Sequence, residues 1–586
     1  MKIRIYAAVL CMALLLNISL VSPVQGAVGI SPSQGIAGSI VTVSDLLVGS
    51  SYTIKWDGSN YKTGAVPSSG EIVFTVPETY GGEHTVGVEC PTGSSVFTGS
   101  FTVIPSIVID PNSGNVGTSV TVEGTGFASA EDDIEVTYGG ENVKAGITAD
   151  DDGLWSTTFT VPDSSTGSHT VDASGNTTAA EDVDNKAFTV SPKITLDKVT
   201  GGVGTSVSVT GTGFDSAETS IKVMYSSKEV RTGIVANVDG TWNTTFTVPS
   251  STKGAHVVDA SGESTTTGDV PNITFTVMPG VSIDPSSGYV DDEIEVTGSG
   301  FATNEGGIKV TFDGEVIETG LVADDRGYWA TTLTIPVGVN GDHNLDAYGN
   351  TTITADVTDA VLEIQAQVLL NPKSGDVDEM ISVRGTGFSG KTDLTVTYEE
   401  EPIVTGLTTD VSGGFSTSFK APRGKSGECT VAATDIEDVK ASAVFAMEAT
   451  APDAPRIAAP KDGGRVGFVG DAKVTFDWTD VSDPSGIYYT LEISSQSNFD
   501  VILDSYTDLT ESEHTLTAAA SLSHGEYYWR VKAVDGAGNS SDWTASALVR
   551  VSFMTVQSFI IILAAVVAAI ILAAVLPGLV GKRRRR

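Results

Sequence analysis

The sequence predicts an all-β protein: tandem β-sandwiches in an extended array, followed by one C-terminal transmembrane α-helix. Three observations carry this expectation. A phrase ending Gly-x-Gly-Phe recurs at Phe127, Phe214, Phe301 and Phe388, each 87 positions after the last. The stretches between are short, alternate apolar with polar residues, and are punctuated by Gly, Asp, Asn and Pro. Residues 553–581 carry no charge at all. A period so constant means tandem copies of one folding unit.

Residues 1–26 have a basic start at Lys2 and Arg4, an apolar stretch from Ala7 to Leu16, and small residues at Gly26 and Ala27. That order is expected of a secretory signal peptide cleaved after Gly26. Residues 27–104 open with Ile30-Ser31-Pro32 and Gly35 but lack Gly-x-Gly-Phe, and Pro32 lies 79 positions before Pro111 instead of 87. They read as a shortened, divergent terminal copy, which suits the cap of an array. Its Tyr52, Trp56 and Tyr61 read either as exposed binding aromatics or as core, with core the simpler account.

Four full copies follow, at 105–191, 192–279, 280–366 and 367–449. Each opens on a turn cluster, as in Asp110-Pro111-Asn112-Ser113-Gly114, and runs into an alternating strand such as Val120-Thr121-Val122. Each then carries an aromatic and a proline: Trp155 with Pro162, Trp242 with Pro249, Trp329 with Pro336, Phe415 with Pro422. In the copy at 192–279, strands are expected at 207–210, 221–225, 241–248, 256–260 and 273–278. Several short strands in fewer than 90 residues, without a helix between them, indicate a β-sandwich. Phe214 should drop into its core. Gly211 and Gly213 should mark a bulge or a close approach to the other sheet.

The phrases Ile109-Asp110-Pro111 to Gly126-Phe127, Ile283-Asp284-Pro285 to Gly300-Phe301 and Leu370-Asn371-Pro372 to Gly387-Phe388 resemble the IPT/TIG family of immunoglobulin-like domains. The copy with Lys198 has lost the proline but keeps Gly211 and Gly213-Phe214. The resemblance covers roughly residues 105–448 and implies an immunoglobulin-like fold. After the linker Ala451-Pro452-Asp453-Ala454-Pro455, residues 450–552 resemble a fibronectin type III domain. Val474-Thr475-Phe476-Asp477-Trp478 and Tyr527-Tyr528-Trp529-Arg530-Val531 stand for two of that domain's strands, with Trp478 and an aromatic of 527–529 as core anchors.

Within 553–581, the stretch from Phe559 to Val580 is long and apolar enough to span a bilayer, which takes about 20 residues. Five basic residues, 582–586, follow at once. Positive charge is retained on the cytoplasmic side. The expected topology is a single-pass protein of the cell membrane, ectodomain outside and C-terminus in the cytoplasm.

Thirty-three Lys and Arg against 73 Asp and Glu give a net charge of −40. Phosphate would be repelled, so nucleic acid is not an expected partner. Self-repulsion of acidic modules would favour extension and solubility. The three cysteines, Cys11, Cys90 and Cys429, are too scattered for a disulfide framework, so each module must rely on its own core.

No catalytic or cofactor-binding residues are expected. There is no nucleophile elbow, zinc helix or phosphate loop, and Gly211-Thr212-Gly213 is not followed by a helix. His84, His169, His256 and His343 recur at one place in successive modules, but one imidazole per module cannot make a metal site. Acidic turns such as Asp150-Asp151-Asp152-Gly153 and Asp324-Asp325-Arg326-Gly327 fit hairpin turns, because Asp-Gly tolerates positive φ. Calcium is the alternative for these turns and for Glu181-Asp182-Val183-Asp184-Asn185, although no EF-hand spacing is present. Candidate glycosylation sites are Asn176, Asn243, Asn272, Asn350 and Asn539.

The sequence therefore points to a non-enzymatic envelope protein, either a stalk or structural component that self-associates or meets another envelope protein, or an adhesin gripping a glycan or protein through its distal modules.

Overall fold

The computed structural model describes residues 27–90 and 95–580; the expected signal peptide at 1–26 and the basic tail at 582–586 lie outside the described residues. The described chain is built almost wholly of strands, with two 3-10 turns and one long helix.

The region 106–190 shows the plan. Strand Ser119–Thr125 lies between Ser106–Asp110 and Trp155–Thr160 in a three-stranded antiparallel sheet. The facing sheet has five strands in the order Ser113–Gly114, Lys186–Val190, Gly167–Ser174, Ile134–Tyr138, Glu141–Ile147. Its first pair is parallel and the others antiparallel. The chain therefore changes sheet between Asp110 and Ser113, at Pro111. Period-two alternation then does the packing: Val120 and Val122 point inward from one sheet, Val136, Val171 and Phe188 from the other, all fully buried.

The same pairing of three strands with five recurs at 29–103, 193–277, 280–364, 367–447 and 457–551. Buried clusters fill these sandwiches, centred for example on Phe214, Phe246 and Phe275 in 193–277 and on Phe476, Trp478 and Trp529 in 457–551. In 29–103 Tyr52 and Trp56 belong to the core, while Tyr61 is exposed and donates its hydroxyl to the Thr75 carbonyl at 2.8 Å. The chain divides into two compact units, Met1–Pro279 with Ser299–Phe301, and Gly280–Gly298 with Ala302–Arg586.

In 193–277 the five expected strands are present as Ser206–Thr212, Ile221–Tyr225, Trp242–Thr247, Gly254–Ser261 and Ile273–Val277. Three more appear: Lys193–Leu196, Thr200–Gly201 and Lys228–Ile234. The last is exposed along most of its length, so it has no alternation to betray it. Its Lys228, Glu229 and Arg231 charge an open sheet edge, which discourages pairing with another chain. Helix Val556–Val580 closes the chain, with the Thr555 hydroxyl accepting the Ser558 N–H at 3.0 Å as a cap. Its segment Val556–Ala574 has mean hydropathy 2.8 and no burial against protein.

Candidate functional site

The repeated phrase builds a joint. Gly124 pairs across the sheet with Trp155, and a Cβ on Gly124 would lie 2.0 Å from the indole Cε2. The glycine is needed because the tryptophan of the adjacent strand lies over it. Gly211 with Trp242 and Gly298 with Trp329 repeat the contact. This corrects the expectation that Gly211 admits the opposite sheet: it admits a side chain of its own sheet. Gly126 has φ +72°, and Phe127 then turns into the core, edge-on to Trp155 at 5.2 Å. Gly153, from the acidic turn, has φ +73°, and its carbonyl accepts the Phe127 N–H at 3.3 Å. The Gly-x-Gly-Phe phrase and the Asp-to-Trp phrase are thus two sides of one contact.

The Phe127 carbonyl faces the preceding sandwich and accepts the Gly81 N–H at 2.8 Å. Within the first unit, Phe214 likewise accepts from Thr166 at 3.0 Å; within the second, Phe388 accepts from Asn340 at 3.2 Å. The recurring histidines act on these same peptides. The peptide joining Tyr80 to Gly81 donates its N–H to Phe127, and its carbonyl sits 2.8 Å from His84 Nε2. His169 holds the Ser165 carbonyl at 2.8 Å and His343 the Val339 carbonyl at 2.9 Å, each the other half of the peptide that reaches the next phenylalanine. The imidazoles stack on Trp56, Tyr138 and Phe312. Their second nitrogens differ: His84 meets Asp57 at 2.6 Å and His343 meets Asp313 at 2.7 Å, while His256 meets the Ser226 hydroxyl at 3.0 Å. Cys429, in the histidine's place, lies 3.7 Å from the Lys425 carbonyl. Cys90 and Cys429 are both free thiols.

One recurring residue escaped sequence reasoning. Glu131, Glu218 and Glu305 are each about 4% exposed. Glu131 Oε1 accepts the N–H groups of Thr177 and Thr178 at 2.7 Å, and Oε2 accepts the Thr178 hydroxyl at 2.7 Å and the Ala128 N–H at 2.9 Å. Glu218 and Glu305 repeat the set. A carboxylate saturated by donors closes two loops that would otherwise bury orphan amides. Burial alone would raise these carboxyls, but the hydrogen bonds outweigh it, and Glu305 is held at about 2. The 87-residue recurrence of a Glu four positions after the phenylalanine was the signal available in the sequence.

The acidic turns are self-contained. Asp150 Oδ1 accepts the Asp152 and Leu154 N–H groups, and Asp324 does the same for Arg326 and Tyr328. An uncharged Asn237 fills this role in 193–277, so the position selects for an acceptor of turn amides. Residues Ala180–Asp182 form a 3-10 turn with Glu181 and Asp182 exposed. Among the described residues, one group of acidic side chains does converge: ligand oxygens of Glu448, Asp483 and Asp535 lie within 4.8 Å of one another. They meet where 367–447 adjoins 457–551, beside Ser485 and Asn539. Such oxygens suit a hard divalent cation by chemistry. Burial first, and then the nearby Asp535, pushes the Glu448 carboxyl above its ordinary value.

Asn176, Asn243, Asn272 and Asn350 are exposed, whereas Asn539 is half-buried with its amide on Asp535. Thr178 and Thr352, which complete the Asn176 and Asn350 triplets, are the threonines bonded to Glu131 and Glu305. Their recurrence therefore has a structural cause.

The IPT/TIG domain family matches residues 103–190 and 281–360. Both regions are similar to IPT/TIG domains. No curated protein sequence matches the chain. Among solved structures, the N-terminal eight immunoglobulin domains of Down syndrome cell adhesion molecule align at 13% identity over 89% of this chain and 71% of that one, with TM-score 0.18. Invasin, a bacterial integrin-binding protein, aligns at 12% over 60% and 81%, TM-score 0.15. A fibronectin III-like protein from Clostridium thermocellum aligns at 21% over 17% and 95%, TM-score 0.13. At 106–190 the carbonyl that ends the glycine-rich phrase, that of Phe127, receives the Gly81 N–H of the preceding sandwich.

Proposed function

We propose that the chain is a non-enzymatic, membrane-anchored protein of the cell surface, whose IPT/TIG and related sandwiches form a structural stalk or envelope component. The observation that supports this most is the joint itself. The phenylalanine that ends Gly-x-Gly-Phe anchors its own core with its ring and offers its carbonyl to the preceding sandwich, where His84, His169 or His343 holds the donating peptide. The apolar helix at Val556–Val580 supplies the anchor.

The test is topological. Protease added to intact cells, or to spheroplasts where an outer wall intervenes, is expected to digest the sandwiches while a tag placed after Arg586 stays protected. Deleting residues 553–586 is expected to release soluble protein. Retention of the truncated form would instead point to attachment through the sandwiches.

A further inference from the structure

The last sandwich and the apolar helix do not meet through a free linker. After strand Ala547–Val551, the segment 552–556 runs beside the loop 467–470. Phe553 donates its N–H to the Phe468 carbonyl at 3.0 Å, Gly470 donates to the Met554 carbonyl at 3.2 Å, and the Ser552 hydroxyl bonds the Gly470 carbonyl. A Cβ on Gly470 would lie 2.6 Å from Val556 Cγ2, so the loop touches the first residue of the helix. At this level two aromatic rings face outward. Phe468 is 66% exposed and Phe553 is 61% exposed, and they stack on each other with centroids 6.2 Å apart and planes 10° apart. The Arg465 guanidinium lies 5.7 Å over Phe553.

We propose that this ring pair is a lipid-docking foot: Phe468 and Phe553 insert at the bilayer's outer interface and Arg465 meets headgroup phosphate, so that the last sandwich rests on the membrane. The proposal rests on the reading of Val556–Val580 as a membrane span. Its occupant follows from continuity. Phe553 sits two residues before the Thr555 cap with Phe468 stacked on it, and a helix unburied by protein begins immediately after the cap. A ring held beside that entry by two backbone hydrogen bonds and the Ser552 hydroxyl has the headgroup boundary as its neighbour. Apolar rings such as Phe bury into the boundary between headgroups and acyl chains, and a guanidinium there keeps its charge in the polar layer.

The test uses the full chain in phospholipid vesicles brominated either near the headgroup end or near the far end of the acyl chains. Bromine quenches tryptophan at contact. The seven native tryptophans lie within the sandwiches and set the baseline. Phe468→Trp replaces one exposed ring by another and leaves the backbone bonds intact. Its added emission is expected to shift to the blue and to be quenched most by bromine near the headgroups. Ile570→Trp, in mid-helix, is expected to be quenched most by bromine near the chain ends. Quenching of Ile570→Trp with Phe468→Trp at baseline would overturn the foot and leave the span standing. Quenching of neither would overturn both. A blue shift at Phe468→Trp without quenching would show the ring covered by protein, as by a second copy, and would also overturn the proposal.

Discussion

The sandwiches at 106–190 and 367–447 have the same strands in the same order, yet they close the same pair of loops from opposite sides. In 106–190 the carboxylate comes from Glu131, beside the Gly-x-Gly-Phe loop, and reaches across to the amides of Thr177 and Thr178. In 367–447 the corresponding position is Thr392. The carboxylate is Asp435, on the facing strand end, which accepts the Ser389 N–H at 3.0 Å and those of Glu437 and Val439 at 3.0 Å. Asp535 does similar work in 457–551, accepting the Asn539 N–H at 2.8 Å. The lesson is that the buried amides demand an acceptor, while the residue that supplies it is negotiable. A glutamate spans the gap from one loop; an aspartate suffices where its own loop wraps back on it.

The largest expected effect should be blind to this difference. Phe214→Ala and Phe388→Ala each remove a fully buried ring, at a cost of about 3–5 kcal/mol apiece. Urea unfolding, followed by hydrogen exchange of peptides from each sandwich, measures both. A much smaller loss for either would break the equivalence of the two cores.

The next effect should separate them. Glu218→Ala leaves several buried donors without an acceptor and is expected to cost about 2–3 kcal/mol in 193–277. Asp435→Ala should cost a similar amount in 367–447, whereas Thr392→Ala should stay within about 1 kcal/mol. Equal losses for Thr392→Ala and Glu218→Ala would show that position, and not the carboxylate, is what matters.

The smallest effect concerns pH. Glu305 has its pKa lowered from 4.5 to about 2, so its contribution is fully present above pH 4.5 and fades as pH falls towards 2. Glu448 is shifted the other way, so its contribution is present below its ordinary pKa and is lost as pH rises through the raised value. Hydrogen exchange across an acid titration should therefore show the loop at 349–352 loosening towards pH 2. The segment around Glu448 should loosen on the way up from acid instead, and Glu448→Gln should flatten that second profile. Loosening of both in the same direction would contradict the assigned causes.

Much of this was legible in the sequence. The sandwich class, the phenylalanine anchors and the apolar helix follow from alternation, period and hydropathy, which act locally along the chain, whereas Trp478 and an aromatic of 527–529 as core anchors are implied by the resemblance to a fibronectin type III domain. The exposed edge strands, such as Lys228–Ile234, were missed because nothing on them is buried and so nothing alternates. The recurrence of the histidines is visible in the sequence, yet their role requires knowing that the peptide four residues back points at another sandwich. The Glu448, Asp483 and Asp535 group was invisible for a related reason: its members are far apart in sequence and meet only where two sandwiches adjoin.

By itself, then, the sequence determined what each repeat must bury and where its chain must turn. Apolar side chains cannot stay in water, and only glycine is at ease at the positive φ of Gly126 and Gly153. What tertiary structure alone decided was who satisfies the polar groups that burial leaves behind. Glu131 or Asp435 closes the loops, and His84 or Cys429 holds the peptide at the histidine position. Hydrogen bonds are short and directional, so partners are chosen by proximity after packing rather than by order along the chain.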